Sequence, residues 1–255
     1  MSFTRYGGFK PGKLDYFSWD ERQSPEGTGY SPPKSDLSAD YVKAQGIWSL
    51  NSTMQFPFVP PIVMSLVTTA TTTLSTTINV PGSALTGDIA VLFDVTTGAA
   101  IVPTGWTSIY SDKPSAVGRT ASYKLITADD IGATISGQSS SGSVKIMLIF
   151  RPSTSVTTLS FAGLVSEEST ITVPVKTIVA SSSPPETTVF AWLYGFSAAP
   201  AMSETWWDNE YTGIGGSSYL NVYYEQQTTA TERTITSTID TGSWNFASGF
   251  TMSAL

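Results

Sequence analysis

The residues best placed to do chemistry in this chain are its acids, because two stronger candidates are missing. The sequence contains no histidine and no cysteine. That removes the commonest general base, imidazole and thiolate metal ligands, thiol nucleophiles and disulfides together. What remains is paired-carboxylate chemistry, in which one acid stays protonated and another ionised across a glycosidic bond. Three pairs stand close in the sequence: Asp129 with Asp130, Glu167 with Glu168, and Asp208 with Glu210. The first precedes Gly132 and reads as a turn, and the second reads as a turn or loop tip. Asp208 and Glu210 are too near one another to flank a glycosidic bond unless the backbone is irregular. No catalytic residue is assigned, and an enzyme is not expected.

The stretch from Glu204 to Tyr211 suits binding better than catalysis. Trp206, Trp207 and Tyr211 offer flat faces on which a sugar can stack, and Asp208 and Asn209 can bond its hydroxyls. Gly213, Gly215 and Gly216 follow and let a chain turn sharply. Trp206, Trp207, Asp208, Asn209 and Tyr211 are therefore the candidate ligand-binding residues, with a glycan as the ligand. The competing reading is that one or both tryptophans plug the end of the core. Trp106, after Pro103 and Gly105, is assigned to the core. No metal and no cofactor is expected. A calcium loop of the D-x-D-x-D-G kind is absent. The glycines at 213–216 precede a strand rather than a helix, without a Gly-Lys-Ser/Thr.

The elements that must position these residues are strands. Charged residues make up only 13% of the chain, against about 25% in ordinary globular proteins. Ser and Thr take their place after Met64, and threonine's branched Cβ suits a pleated surface. The pattern predicts strands over 62–68, 75–79, 88–95, 107–110, 119–126, 133–136, 144–151, 157–163, 169–173, 187–194, 218–225, 233–238 and 249–255. Gly, Pro, Asp and Ser clusters separate them at a spacing typical of a sandwich or barrel. No segment has helical length and period. The predicted fold is all-β: an antiparallel β-sandwich, jelly-roll-like, with an extended irregular N-terminal arm. Residues 61–255 form the sandwich, and two pseudo-repeated halves, about 75–152 and 170–255, are offset by about 100 residues, too long for a solenoid unit. Strands 88–95 and 187–194 are apolar on both faces. They are expected to be central and covered, or to meet another subunit.

Residues 1–60 form the arm. They carry Phe3, Tyr6, Phe9, Tyr16, Phe17, Trp19 and Trp48 among Gly and Pro turns. A disordered linker is poor in aromatics, so these read as anchors that dock on a neighbouring subunit, or as a flap on the chain's own domain. A helical turn is possible at 38–45. The net charge of −7 comes without basic clusters, which argues against nucleic acid as a partner. No apolar stretch reaches the ~20 residues of a membrane helix, and no signal peptide is read at the N-terminus. The chain is expected to be made in the cytoplasm.

Several short motifs resemble a β-sandwich module of tailed-bacteriophage virion proteins. They are Gly87-Asp88 before the apolar run to Phe93; Pro103, Gly105, Trp106 and Thr107; Arg119 to Tyr123; and Lys145 to Phe150 ending in Arg151. Ser243-Trp244 and 249–255 match its closing segment, so the likeness covers roughly 75–255. Gly46, Trp48, Ser49 and Leu50 are similar to a stretch seen in phage tail proteins. The second half departs from the pattern, with Glu204 to Trp207 in place of the first half's Pro–Gly–Trp turn. The resemblance implies a structural component of a phage particle, tail or tail-fibre associated, located in the virion. Its partners would be other virion proteins and copies of itself, a trimer being favoured. A carbohydrate- or receptor-binding module and a capsid decoration protein are the alternatives. No catalytic residues come with the resemblance.

Overall fold

A computed structural model describes residues 62–112, 117–136, 143–169, 175–179, 187–197, 199–227, 231–238 and 245–254. The arm with its aromatic residues Phe3, Tyr6, Phe9, Tyr16, Phe17, Trp19 and Trp48, the turn at 38–45, and Ser243 with Trp244 lie outside them.

The described residues form an all-β sandwich. The first sheet contains β1 (Met64–Thr73), β3 (Ile89–Thr96), β4 (Thr107–Asp112), β5 (Gly118–Leu125) and β7 (Val144–Pro152). The second contains β8 (Leu159–Ser169), β10 (Thr187–Phe196), β12 (Asn209–Gly215), β13 (Ser218–Gln227) and β15 (Asn245–Ala254). All neighbours within each sheet pair antiparallel. The first sheet runs β1-β7-β3-β5-β4, and the second, read from β8, runs β8-β15-β10-β13-β12. Counted along the chain, both have the order first, fifth, second, fourth, third. Each sheet is thus built from one half of the chain, without strands alternating between sheets. Both first–fifth pairs also carry a bulge, at Leu66/Thr68 and at Gly249/Thr251.

Period-two alternation explains the core. Ile89, Val91, Phe93 and Val95 of β3 point to the second sheet together with Val144, Ile146, Leu148 and Phe150 of β7. Phe190, Trp192 and Tyr194 of β10 answer them, with Val222 and Phe250. Ring centroids of Phe93 lie 5.8 Å from Phe190, 5.3 Å from Trp192 and 6.0 Å from Phe250. Burying each such ring contributes about 1.5–3 kcal/mol, so this aromatic layer is the main apolar bond between the sheets.

The other faces of the central strands are covered as well. Ala90, Leu92, Met147 and Ile149 lie beneath Ile78, Val80, Trp106 and Ile126. Ile78 belongs to β2 (Ile78–Asn79), which pairs with β6 (Thr134–Ile135). On the second sheet, Val189, Ala191, Leu193, Tyr223 and Ala247 lie beneath Met202 and Ile235, with Trp206 and Trp207 packed alongside. Met202 is in β11 (Ala201–Met202) and Ile235 in β14 (Glu232–Thr238), which also pairs with β9 (Val175–Val179). The two-sided apolarity of β3 and β10 is met within the chain, by an outer layer over each sheet.

Both long sides of the sandwich are drawn together. A Cβ on Gly213 would meet Val144 Cγ1 at 2.5 Å, and one on Gly215 would meet Val144 Cγ2 at 2.9 Å. Glycines in strand β12 therefore let it lie against β7 of the opposite sheet. On the other side, the Tyr110 hydroxyl donates to Ser166 Oγ at 2.9 Å, and the rings of Tyr123 and Phe161 sit 4.7 Å apart. At the strand ends, Arg151 grips Asp88 with Nε at 2.8 Å and Nη2 at 2.7 Å. Two residues of the resemblance motifs thus tie β7 to the start of β3.

Candidate functional site

The candidate binding residues sit where β11 leads across the second sheet into β12. Their backbone is zipped into the fold on both sides. Ser203 N donates to Thr236 O, and Thr236 N donates to the Glu204 carboxylate at 2.7 Å. Asp208 N donates to Tyr224 O, and Gln226 N donates to Asp208 Oδ2 at 2.8 Å. The segment 203–208 is therefore a strap spanning β13 and β14.

Both tryptophans are half-buried under this strap. Trp206 Nε1 donates to Thr234 O at 2.8 Å, and the Arg233 guanidinium carbon lies 6.0 Å from its ring. Trp207 meets Tyr223 edge-on at 4.8 Å and Trp206 at 6.3 Å. Trp106 occupies the matching place in the first half: it precedes β4 as Trp206 and Trp207 precede β12, and it caps the outer face of its own sheet. Tyr211 is half-buried with its ring parallel to Tyr224, 6.5 Å away. Asp208, Asn209 and Glu210 are exposed, and Asn209 Nδ2 donates to the Tyr224 hydroxyl at 3.3 Å.

The expectation of a loop at the glycines needs correcting. The glycines at 213–216 read as a turn-rich binding loop, but Asn209–Gly215 is strand β12, paired with β13 from Asn209↔Tyr224 to Gly215↔Ser218. Only Gly216, at φ +65°, takes a turn conformation, as the first central residue of a two-residue hairpin. The other two glycines serve the close approach to Val144.

The electrostatics of this region are those of a held framework. Arg233 forks onto Glu225, with Nη2 2.9 Å from Oε1 and Nε 3.0 Å from Oε2, and Gln227 donates to the same carboxylate. Burial, and then a hydrogen bond to Glu210, push the Tyr223 hydroxyl far above its ordinary value. Burial, followed by the negative potential of Tyr211 and Asp208, pushes Tyr224 up to about 12. Both phenols stay protonated at physiological pH and act as hydrogen-bonding groups.

Asp130 is structural in position. Asp129 and Asp130 lie in a single 3-10 turn, Ala128–Asp130. Asp130 accepts from Lys124 Nζ at 2.6 Å, Thr127 N at 2.9 Å and Thr127 Oγ1 at 2.7 Å. Burial alone would raise its pKa, but these donors win and hold it below the usual carboxylate value. Glu167 and Glu168, expected in a turn or loop tip, instead have their backbone in strand β8, opposite Ala247 and Phe246. No group of three potential metal-ligating side chains occurs among the described residues.

Two buried polar features escaped the sequence reading. Asp94 and Lys145 face one another beneath the outer layer of the first sheet, neither exposed, with Nζ 3.3 Å from Oδ1. Arg119 points between the sheets, 4.5 Å over the Phe246 ring and 3.3 Å from Asp112, with Nε and Nη1 unpartnered. The signal for both was present: a charge inside an apolar strand at a position whose neighbours on the same face are buried.

No family model, no curated protein and no solved structure matches this chain.

Proposed function

We propose that this chain is a non-enzymatic structural component of a bacteriophage particle, associated with the tail or tail fibre. In this reading the arm docks on a neighbouring subunit and the sandwich faces outward. The supporting observation is the double covering of the central strands. One aromatic core joins two five-stranded sheets, and each sheet's other face carries an outer layer from the same chain. Such an arrangement spends its apolar surface on rigidity. Its polar groups near the tryptophans are tied to backbone and to one another, which suits a spacer better than a reaction centre. Placement in a phage rests on the motif resemblance over residues 75–255.

Deleting residues 1–45 tests the docking role. The truncated chain should keep a β-type circular dichroism spectrum yet fail to enter particles. Normal incorporation would contradict the reading.

A second reading is contact with a host glycan or receptor. It is favoured by the exposed row Asp208, Asn209 and Glu210 beside half-buried Trp207 and Tyr211. Replacing Asn209 and Glu210 by alanine should then lower adsorption to host cells while the chain keeps its β-type circular dichroism spectrum. Unchanged adsorption would leave the spacer role alone.

A further inference from the structure

We propose that Asp94 and Lys145 condense into an amide, an intramolecular isopeptide cross-link between the central strands β3 and β7. The proposal is independent of where the protein works. The two residues are direct partners in the β3–β7 register. Directly opposed Cβ atoms lie about 4.5–5.5 Å apart, a gap the lysine's methylene chain spans easily. The Lys145 amine is 3.3 Å from Asp94 Oδ1, and neither side chain is reached by solvent.

The surroundings weaken the ion pair and move both groups toward their neutral forms. Taking both charges out of water costs several kcal/mol per ion, which only good hydrogen bonding offsets. Yet neither oxygen of Asp94 accepts a well-formed hydrogen bond. Burial pushes Asp94 up to about 6 and Lys145 down from its ordinary value. The amine donates to Ser75 O at 2.8 Å and Ser143 Oγ at 2.9 Å. Those acceptors can take both hydrogens of a neutral amine, leaving its lone pair for the carboxyl carbon. Thr120, opposite Asp94 on β5, has a buried hydroxyl without a partner. A turn of that hydroxyl toward the carboxyl would supply a donor as negative charge develops there.

The step balances without a co-reactant. Nζ attacks Cγ of the protonated Asp94 and forms the C–N bond. The C–OH bond breaks, and one amine proton leaves with the hydroxyl as water, with Ser143 Oγ within reach as a relay. Nothing is oxidised or reduced. Fixed placement of two groups inside a folded chain can replace an effective concentration of about 10⁵–10⁸ M.

Intact-mass measurement of the purified full chain tests this, followed by proteolysis and fragmentation. The expected mass is that of the sequence less one water, with a branched peptide joining the segments that contain Asp94 and Lys145. Lys145→Arg should restore the full mass. An unmodified mass for the native chain would overturn the proposal. So would a lost water without the branched peptide.

Discussion

Gly213 lies so close to Val144 of the opposite sheet that one added methyl group would sit 2.5 Å from its Cγ1. This contact sets how nearly β12 approaches β7 and so closes one side of the sandwich. Gly213→Ala should therefore destabilise the fold by about 1–3 kcal/mol, the usual cost of overpacking. Val144→Ala in the same chain should recover part of that loss, because the neighbours couple. Urea denaturation of the two single variants and the double variant measures this. Strict additivity would show that the sheets do not touch here.

The tryptophan strap makes a second expectation. If Trp206 and Trp207 cover the outer face of the second sheet, their removal is a stability change first. Trp207→Ala should cost on the order of 2 kcal/mol, below the range for fully buried rings because it is half-exposed. Trp206→Phe should cost about 1 kcal/mol for the lost bond to Thr234 O. Unchanged denaturation midpoints would mean the rings are free for a ligand.

Breaking the buried pair gives a third. Lys145→Met leaves Asp94 uncompensated in an apolar layer, and such losses cost about 3–5 kcal/mol. Asp94→Leu combined with Lys145→Met removes the stranded charge. The double variant should be more stable than Lys145→Met, as thermal unfolding will report. A double variant no better than the single one would contradict the account of this site.

Asp130 supplies a pH signature. Its folded pKa lies below the unfolded value, held down by Lys124 and Thr127. Its contribution is therefore present above the unfolded pKa of about 4 and disappears as pH falls through the folded pKa. Asp130→Asn should be less stable than the native chain by about 1–2 kcal/mol near neutrality. The gap should shrink as pH drops below about 4. A gap of constant size down to pH about 3 would rule out this assignment.

Much of the strand pattern was readable from residues 62 onward, because alternation and turn residues act locally. Runs such as Ile89–Thr96 and Val144–Pro152 are all or nearly all buried, and they announced themselves by apolar stretches interrupted only by single charges such as Asp94 and Lys145. Strand β12 did not. Glycine is depleted in strands, and the need for Gly213 and Gly215 comes from a valine some seventy residues away, which no local pattern encodes. For the same reason Asp94 and Lys145 looked like isolated charges until β3 and β7 were paired. The candidate binding residues were legible as an aromatic cluster, but their anchoring to Thr234, Thr236 and Gln226 depends on the fold.

The most direct test of the structural role is quantitative mass spectrometry of purified phage particles from cells producing this chain. The account predicts the chain in every preparation, at a fixed ratio to the other virion proteins. Abundant chain in the lysate with none in the particles would contradict it.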